Sequence, residues 1–110
     1  MNTAWYQRQI GIASEQGDAT SDDGQIDYEH ICDIADSNKN QYNYLNNQGY
    51  FDGSQVQCND GAGNPSATDI VNEFNAGIGL LNYCGHGSTE QMSTSGFSAL
   101  NVQDLTNNNG

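Results

Sequence analysis

The residues best suited to do chemistry close one short stretch, Ile78-Gly79-Leu80-Leu81-Asn82-Tyr83-Cys84-Gly85-His86-Gly87-Ser88. Histidine is the side chain whose ordinary titration lies nearest neutrality, so His86 can take up and return a proton. It stands between Gly85 and Gly87. Those glycines let the backbone bend sharply and let a substrate main chain approach with no Cβ in the way. The apolar run before them is too short for a helix and is bounded by glycine, which reads as a buried strand over Ile78 to Tyr83. In an open α/β sheet, ligands sit just beyond the carboxyl ends of the strands. His86 falls at such a place. The plainer reading is a strand-to-loop turn with a polar residue in it, since a lone Gly-His-Gly is a weak motif.

Other candidates cluster around this one. Glu15 and Gln16 directly follow a first strand, read over Ile10 to Ser14, and would lie beside His86 if the two strands are neighbours. A carboxylate there orients an imidazole and stabilises its protonated form. Ser88 and Thr89 carry hydroxyls but lie in no G-x-S-x-G elbow, so a polar loop is the simpler account of both. Cys84 is poorly placed as a nucleophile for His86, which already lies in the turn. Asp27 and His30 are three apart on one helical turn, so their side chains can meet. Asp27 would face the same loop-lined cleft as His86 and could pair with a cationic substrate group. Asp18, Asp22 and Glu29 fall at positions one, five and twelve of a calcium loop, but the required glycine comes one residue late, at Gly24. Two readings stay open for this loop. It is a solvated acidic segment, or a looser cation site made of Asp22, Asp23 and backbone carbonyls.

The elements that must position these groups follow from periodicity. After the first strand and the acidic loop of residues 15–27, a helix starts at Asp27, whose side chain would cap its first turn. Ile31, Ile34 and Ala35 form its apolar face, and the asparagines at 38, 40 and 43 weaken its second half before Gly49 ends it. A second strand, an edge, is expected near Ser54 to Cys58, and Asn59 to Pro65 reads as a turn. Ser66 with Asp69 makes a capping box for a second helix with Ile70, Val71 and Phe74 buried and Gly77 as its stop. The third strand, ending at His86, follows at once. The order β-α-β-α-β implies right-handed crossovers and a parallel sheet. A polar loop and a short segment, Leu100 to Leu105, come next, and the sheet reads as unfinished on that side.

Composition limits the function classes. At 110 residues the chain holds one domain, and 35% hydrophobic residues with a mean hydropathy of -0.74 imply a thin core. Two basic residues against fourteen acidic ones give a net charge of -12. A nucleic-acid partner is therefore not expected, because displacing counterions from phosphates takes Lys and Arg. Nor is membrane insertion, as no apolar stretch reaches the length of a span. Such a charge favours a cationic partner or bound calcium. Cys32, Cys58 and Cys84 contain no C-x-x-C pair, and Cys32 and Cys84 read as small buried or half-buried residues.

Taken together, Trp5, Ile12-Ala13-Ser14, Asp22-Asp23-Gly24 with Asp27 and His30, Phe74-Asn75-Ala76-Gly77 and Asn82 to Ser88 (NYCGHGS) resemble the gingipain-type cysteine peptidases, and Val102 to Asn107 (VQDLTN) continues the likeness. The resemblance implies an α/β, caspase-like three-layer sandwich with a mainly parallel sheet, of which this chain would be the N-terminal part of the catalytic domain. It implies a cysteine endopeptidase of bacterial surfaces and secretions, hence a secreted or cell-surface location, with a peptide or protein substrate and the remainder of its own catalytic domain as partners.

By that resemblance His86 is the general base, and the nucleophilic cysteine ends a strand beyond Gly110. A family glutamate supports the histidine; the matching position is Gln16, with Glu15 one residue earlier. Asp27 matches the aspartate lining the primary pocket of arginine-specific members, implying a basic residue before the cleaved bond. Asp22 and Asp23 match a loop associated with structural calcium, although the acidic residue after its glycine is Gln25 here. A family tryptophan corresponds to Met92. Gly87 would offer its N–H to the oxyanion, next to Ser88 in the substrate cleft. The alternative function is a non-catalytic, calcium-stabilised binding or secretion-associated module with the same fold. An acidic α/β domain without chemistry is the plainest reading.

Overall fold

A single strand, β1 (Arg8–Ala13), runs through the middle of the computed structural model, which describes residues 4–18, 20, 24–53 and 61–106. A short 3-10 turn, Ala4–Gln7, leads into it. The chain continues through α1 (Asp27–Tyr42), β2 (Asn46–Phe51), β3 (Gly61–Gly63), α2 (Ala67–Ala76), β4 (Leu80–Cys84) and α3 (Ala99–Val102). The strands form one parallel sheet in the order β3-β2-β1-β4. Parallel strands need long crossovers, and α1 and α2 supply them on opposite faces.

Alternation along β1 assigns the two faces. Ile10 and Ile12 point to one side, where they pack with Ile70 of α2, Phe97, and the partly buried Tyr50, Leu81 and Tyr83. Gly11 and Ala13 point to the other. There Ala13, Ile31 of α1 and Phe51 form a second cluster, edged by Tyr28, Cys32, Ile34 and Cys84. Helix, sheet and helix therefore make the three layers expected. Each buried Ile or Phe contributes about 1.5–3 kcal/mol by leaving water. Gly11 is small for a steric reason: a Cβ there would lie 2.3 Å from Ile31 Cγ2. The missing side chain lets α1 settle on the sheet.

Polar groups complete the layers. On the α2 face, Arg8 donates to Glu73 Oε2 and to the Gly77 carbonyl, both at 2.6 Å. The Tyr50 hydroxyl donates to Glu73 Oε1 at 2.7 Å, and burial together with that carboxylate holds the phenol protonated well above its ordinary range. On the α1 face, Gln9 is 2% exposed, donates to the Ala35 carbonyl and accepts from Asn38 Nδ2. That bond explains why α1 continues past Asn38 despite its weak composition.

Several expected boundaries differ. Helix α1 ends at Tyr42 rather than near Gly49, because Asn43 takes the left-handed conformation (φ 60°) that closes a helix. The residues after it form β2, with Leu45 N–H already bonded to the Gln7 carbonyl beside β1. The segment Gly61–Gly63, read as part of a turn, is an edge strand paired to β2. Asp27 is not the cap of α1: it is the first helical residue, and Glu29 Oε2 accepts the Ile26 N–H in its place. The strand expected at Ser54 to Cys58 lies outside the described residues. The box at Ser66 is present, with Asp69 N–H donating to Ser66 Oγ (3.3 Å) and Ser66 N–H to Asp69 Oδ2 (2.7 Å). No helix among the described residues is long and apolar enough to cross a membrane.

Two measurements test this packing. Gly11→Ala should cost about 1–3 kcal/mol in denaturant unfolding, because its methyl collides with Ile31; adding Ile31→Val should recover part of the loss. Ser66→Ala should cost about 0.5–2 kcal/mol at neutral pH. The Ser66 N–H and hydroxyl hold the Asp69 carboxyl below its ordinary value of 3.8. Its contribution is thus full above that value and lost as pH falls through the lowered one, so the difference between Ser66→Ala and the parent should shrink in acid.

Candidate active site

The parallel register brings the exits of β1 and β4 together. Ala13 pairs with Cys84, and Ser14 N–H extends the ladder to the Cys84 carbonyl at 3.0 Å. Gln16 lies two residues past Ser14 and His86 two past Cys84. Their side chains meet: His86 Nε2 and Gln16 Oε1 are 2.5 Å apart. An amide oxygen can only accept, so Nε2 carries the proton and Nδ1 of the neutral ring keeps the lone pair. The ring is exposed at the mouth of the sheet.

Gln16 is itself held on its backbone. Its N–H donates to Ser14 Oγ (3.1 Å), and its carbonyl accepts the Asp27 N–H (2.8 Å). Ser14 Oγ–H donates to Asp27 Oδ2 at 2.5 Å. Asp27 therefore sits within the same cluster as His86 and Gln16. Glu15 does not join it. Its carboxylate leans toward β2, where a Cβ on Gly53 would lie 2.7 Å from Oε2. Of the two residues that could have met the imidazole, the structure brings only Gln16.

The segment after His86 is an ordered hairpin, where a polar loop was expected. Gly87 and Met92 oppose each other, with Ser93 N–H bonded to the His86 carbonyl and Ser88 N–H to the Gln91 carbonyl, both at 2.9 Å. In a pair flanked this way, the N–H of the central residue points out of the hairpin. Gly87 N–H accordingly makes no hydrogen bond among the described residues. Ser88 Oγ accepts the Glu90 N–H within its own turn (3.3 Å). Gly87, Ser88, Met92, Phe97 and Val102 line a cleft of about 600 Å³ beside the strand end. Phe97 stacks on Phe74 of α2 with ring centroids 5.4 Å apart, which seats the hairpin on the sheet.

Neither glycine beside His86 has a positive φ. What each provides is room. A Cβ on Gly85 would lie 2.9 Å from the Tyr83 hydroxyl, and one on Gly87 would lie 3.0 Å from the Gln91 carbonyl oxygen. The tyrosine folds back over Gly85 and donates to the His86 carbonyl at 2.5 Å. Sequence reasoning missed this contact of Tyr83, and the signal was slight: a tyrosine three residues before the histidine.

The remaining candidates are dispersed. His30 Nδ1 lies 3.2 Å from Gln25 Oε1. Cys84 keeps its thiol and packs toward α1 with Ala13 and Phe51. Cys32 is disulfide-bonded, not the simple small residue expected. Asp22 and Asp23 lie outside the described residues. Asp18 Oδ1 accepts from Thr20 N–H and Oγ–H, and no group of three metal-ligating side chains occurs among the described residues.

A sequence model of the family described as "Peptidase family C25" matches residues 1–110. Gingipain R2 of Porphyromonas gingivalis is 36% identical over 105 residues, covering 96% of this chain and 13% of that protein. Gingipain R1 of the same organism gives 36% over 105 residues and 10% of its length. The crystal structure of the Arg specific cysteine proteinase gingipain R (RGPB) superposes with a TM-score of 0.78 at 31% identity, over 94% of this chain and 22% of that one. The complex of Porphyromonas gingivalis RgpB pro- and mature domains gives 0.77 at 32%, with the same coverage. The chain thus spans about an eighth or less of the curated relatives it matches.

The Gln16–His86 contact makes a direct prediction. Gln16→Ala removes the acceptor that Nε2–H meets, so the NMR signal of the His86 ring should move from its position in the parent. Glu15→Gln should leave it where it is.

Proposed function

The chain belongs to peptidase family C25, and on that premise we propose that it supplies the general-base side of a cysteine endopeptidase site. His86 takes the proton of a thiol through the free Nδ1 lone pair while Gln16 holds Nε2–H. The thiolate adds to the substrate carbonyl, and the outward Gly87 N–H meets the oxygen that gains charge. The imidazolium then returns its proton to the departing amine, and water hydrolyses the thioester. The nucleophile comes from outside these 110 residues. Cys84 is turned toward α1, Cys32 is disulfide-bonded, and Cys58 does not match the family pattern. The single observation that carries the reading is the His86–Gln16 pair at the carboxyl ends of adjacent parallel strands.

Asp27 is assigned the recognition of a basic residue before the scissile bond. A carboxylate gives a guanidinium a charge-assisted partner, and a chain of net charge -12 attracts cationic peptide. The substrate is a protein or peptide, and the rest of the catalytic domain is the chain's own partner. We assign the protein to the secreted or cell-surface compartment, supported by the disulfide at Cys32, a bond that persists where conditions are oxidising. A structural calcium at Asp22 and Asp23 belongs to the same proposal and takes no part in the chemistry. The second reading, a non-catalytic module of the same fold, is favoured by one observation: an amide, not a carboxylate, faces the histidine.

An arginine-directed, thiol-reactive peptide separates the two when applied to the longer natural protein that contains this chain. Labelling is expected, with its rate falling about 100-fold or more in His86→Ala and unchanged in Cys84→Ala. Absence of labelling, or labelling indifferent to His86→Ala, overturns the peptidase reading.

A further inference from the structure

A chain of hydrogen bonds runs from the end of β2 to the His86 main chain. Asp52 Oδ2 accepts from Thr94 Oγ1 at 2.8 Å. Thr94 N–H donates to the Tyr83 hydroxyl at 3.1 Å, and that hydroxyl donates to the His86 carbonyl at 2.5 Å. Thr94 is 1% exposed, so its two bonds are shielded from competing water. The Tyr83 ring is packed in the cluster around Ile10 and Ile12, which fixes where its oxygen can lie. Gly85 leaves the space through which the ring reaches. Among the described residues none of these groups hydrogen-bonds the imidazole; their bonds reach the main chain of the residue that bears it.

We propose that Tyr83 is a positioning residue for His86, its hydroxyl pinning the backbone from which the imidazole projects, with Thr94 and Asp52 holding that hydroxyl in turn. The proposal rests on the reading of His86 as the general base. A free loop would let the ring wander by about an ångström, and displacement on that scale slows an aligned proton transfer steeply. Gln16 fixes the ring from one side and Tyr83 fixes its backbone from the other. Two tethers of different kinds leave the imidazole one orientation.

The test is Tyr83→Phe in the longer natural protein, a change that keeps the packed ring and removes only the hydroxyl. The expected result is a kcat about 10- to 100-fold lower, with KM within about two-fold of the parent. Thr94→Val should follow in the same direction, and Tyr83→Phe should add nothing in a His86→Ala background. An unchanged kcat in Tyr83→Phe while His86→Ala is inactive overturns the proposal and leaves the peptidase reading intact. So does a loss that remains additive with His86→Ala. If His86→Ala has no effect, the peptidase reading itself fails. The positioning role is then decided by NMR of the His86 ring: a shifted imidazole signal in Tyr83→Phe supports it, and an unmoved one overturns it.

Discussion

The pairing of β1 with β4 is the constraint from which the site follows. Parallel strands leave a sheet on the same side, so a register that sets Ala13 against Cys84 also sets the residues after them side by side. Gln16 and His86 are seventy residues apart in sequence and share one hydrogen bond because of it. A slip of one residue would send Ile10 and Ile12 to the α1 face and bring Gly11 toward α2. Burial of those isoleucines therefore enforces the register, and the register enforces the meeting of the two side chains.

A thin core makes polar satisfaction matter more. Gln9, Ser14 and Thr94 are buried polar residues, and each is bonded. Among the described residues no buried side-chain nitrogen or oxygen lacks a partner. An unpaired group in such a place would cost about 1–3 kcal/mol, a large part of the stability of a small domain. The same bonds have a second consequence. Ser14 ties Asp27 to the turn that carries Gln16, and Thr94 ties the hairpin after His86 to the end of β2. Stability and the arrangement of the site are served by one set of contacts.

An amide, not a carboxylate, stands opposite His86. A carboxylate would attract a proton onto the ring; an amide oxygen orients the ring and fixes its tautomer with far less charge. The proposed base therefore keeps its geometry without an adjacent anion. Asp27, a carboxylate of the same cluster, has one oxygen engaged by Ser14 and lies at the start of α1.

Much of this was legible in the amino-acid order because local signals suffice for it. Two-residue alternation in Ile10 to Ala13, the Ser66–Asp69 box, and an apolar run stopping at Gly85-His86-Gly87 each declare themselves within a few residues. They determined an α/β chain with helices between parallel strands and a histidine at a strand end. The β2 segment, NNQGYF, was hidden because its apolar residues are few and its neighbours resemble a fraying helix; only pairing with β1 makes it a strand. The choice of Gln16 over Glu15 was hidden for a deeper reason. Both residues lie in the loop beyond β1, and its path past the ends of β2 and β4, the two neighbours set by the sheet order β3-β2-β1-β4, puts Glu15 near Gly53 and Gln16 against His86. The hydrogen bonds among Tyr83, Thr94 and Asp52 depend on β4, the hairpin after His86 and the end of β2 converging at the carboxyl end of the sheet. Residue types told where a proton could be carried; tertiary packing alone decided what holds the group that carries it, because hydrogen bonds between distant segments exist only once the sheet has brought them within 3 Å or so.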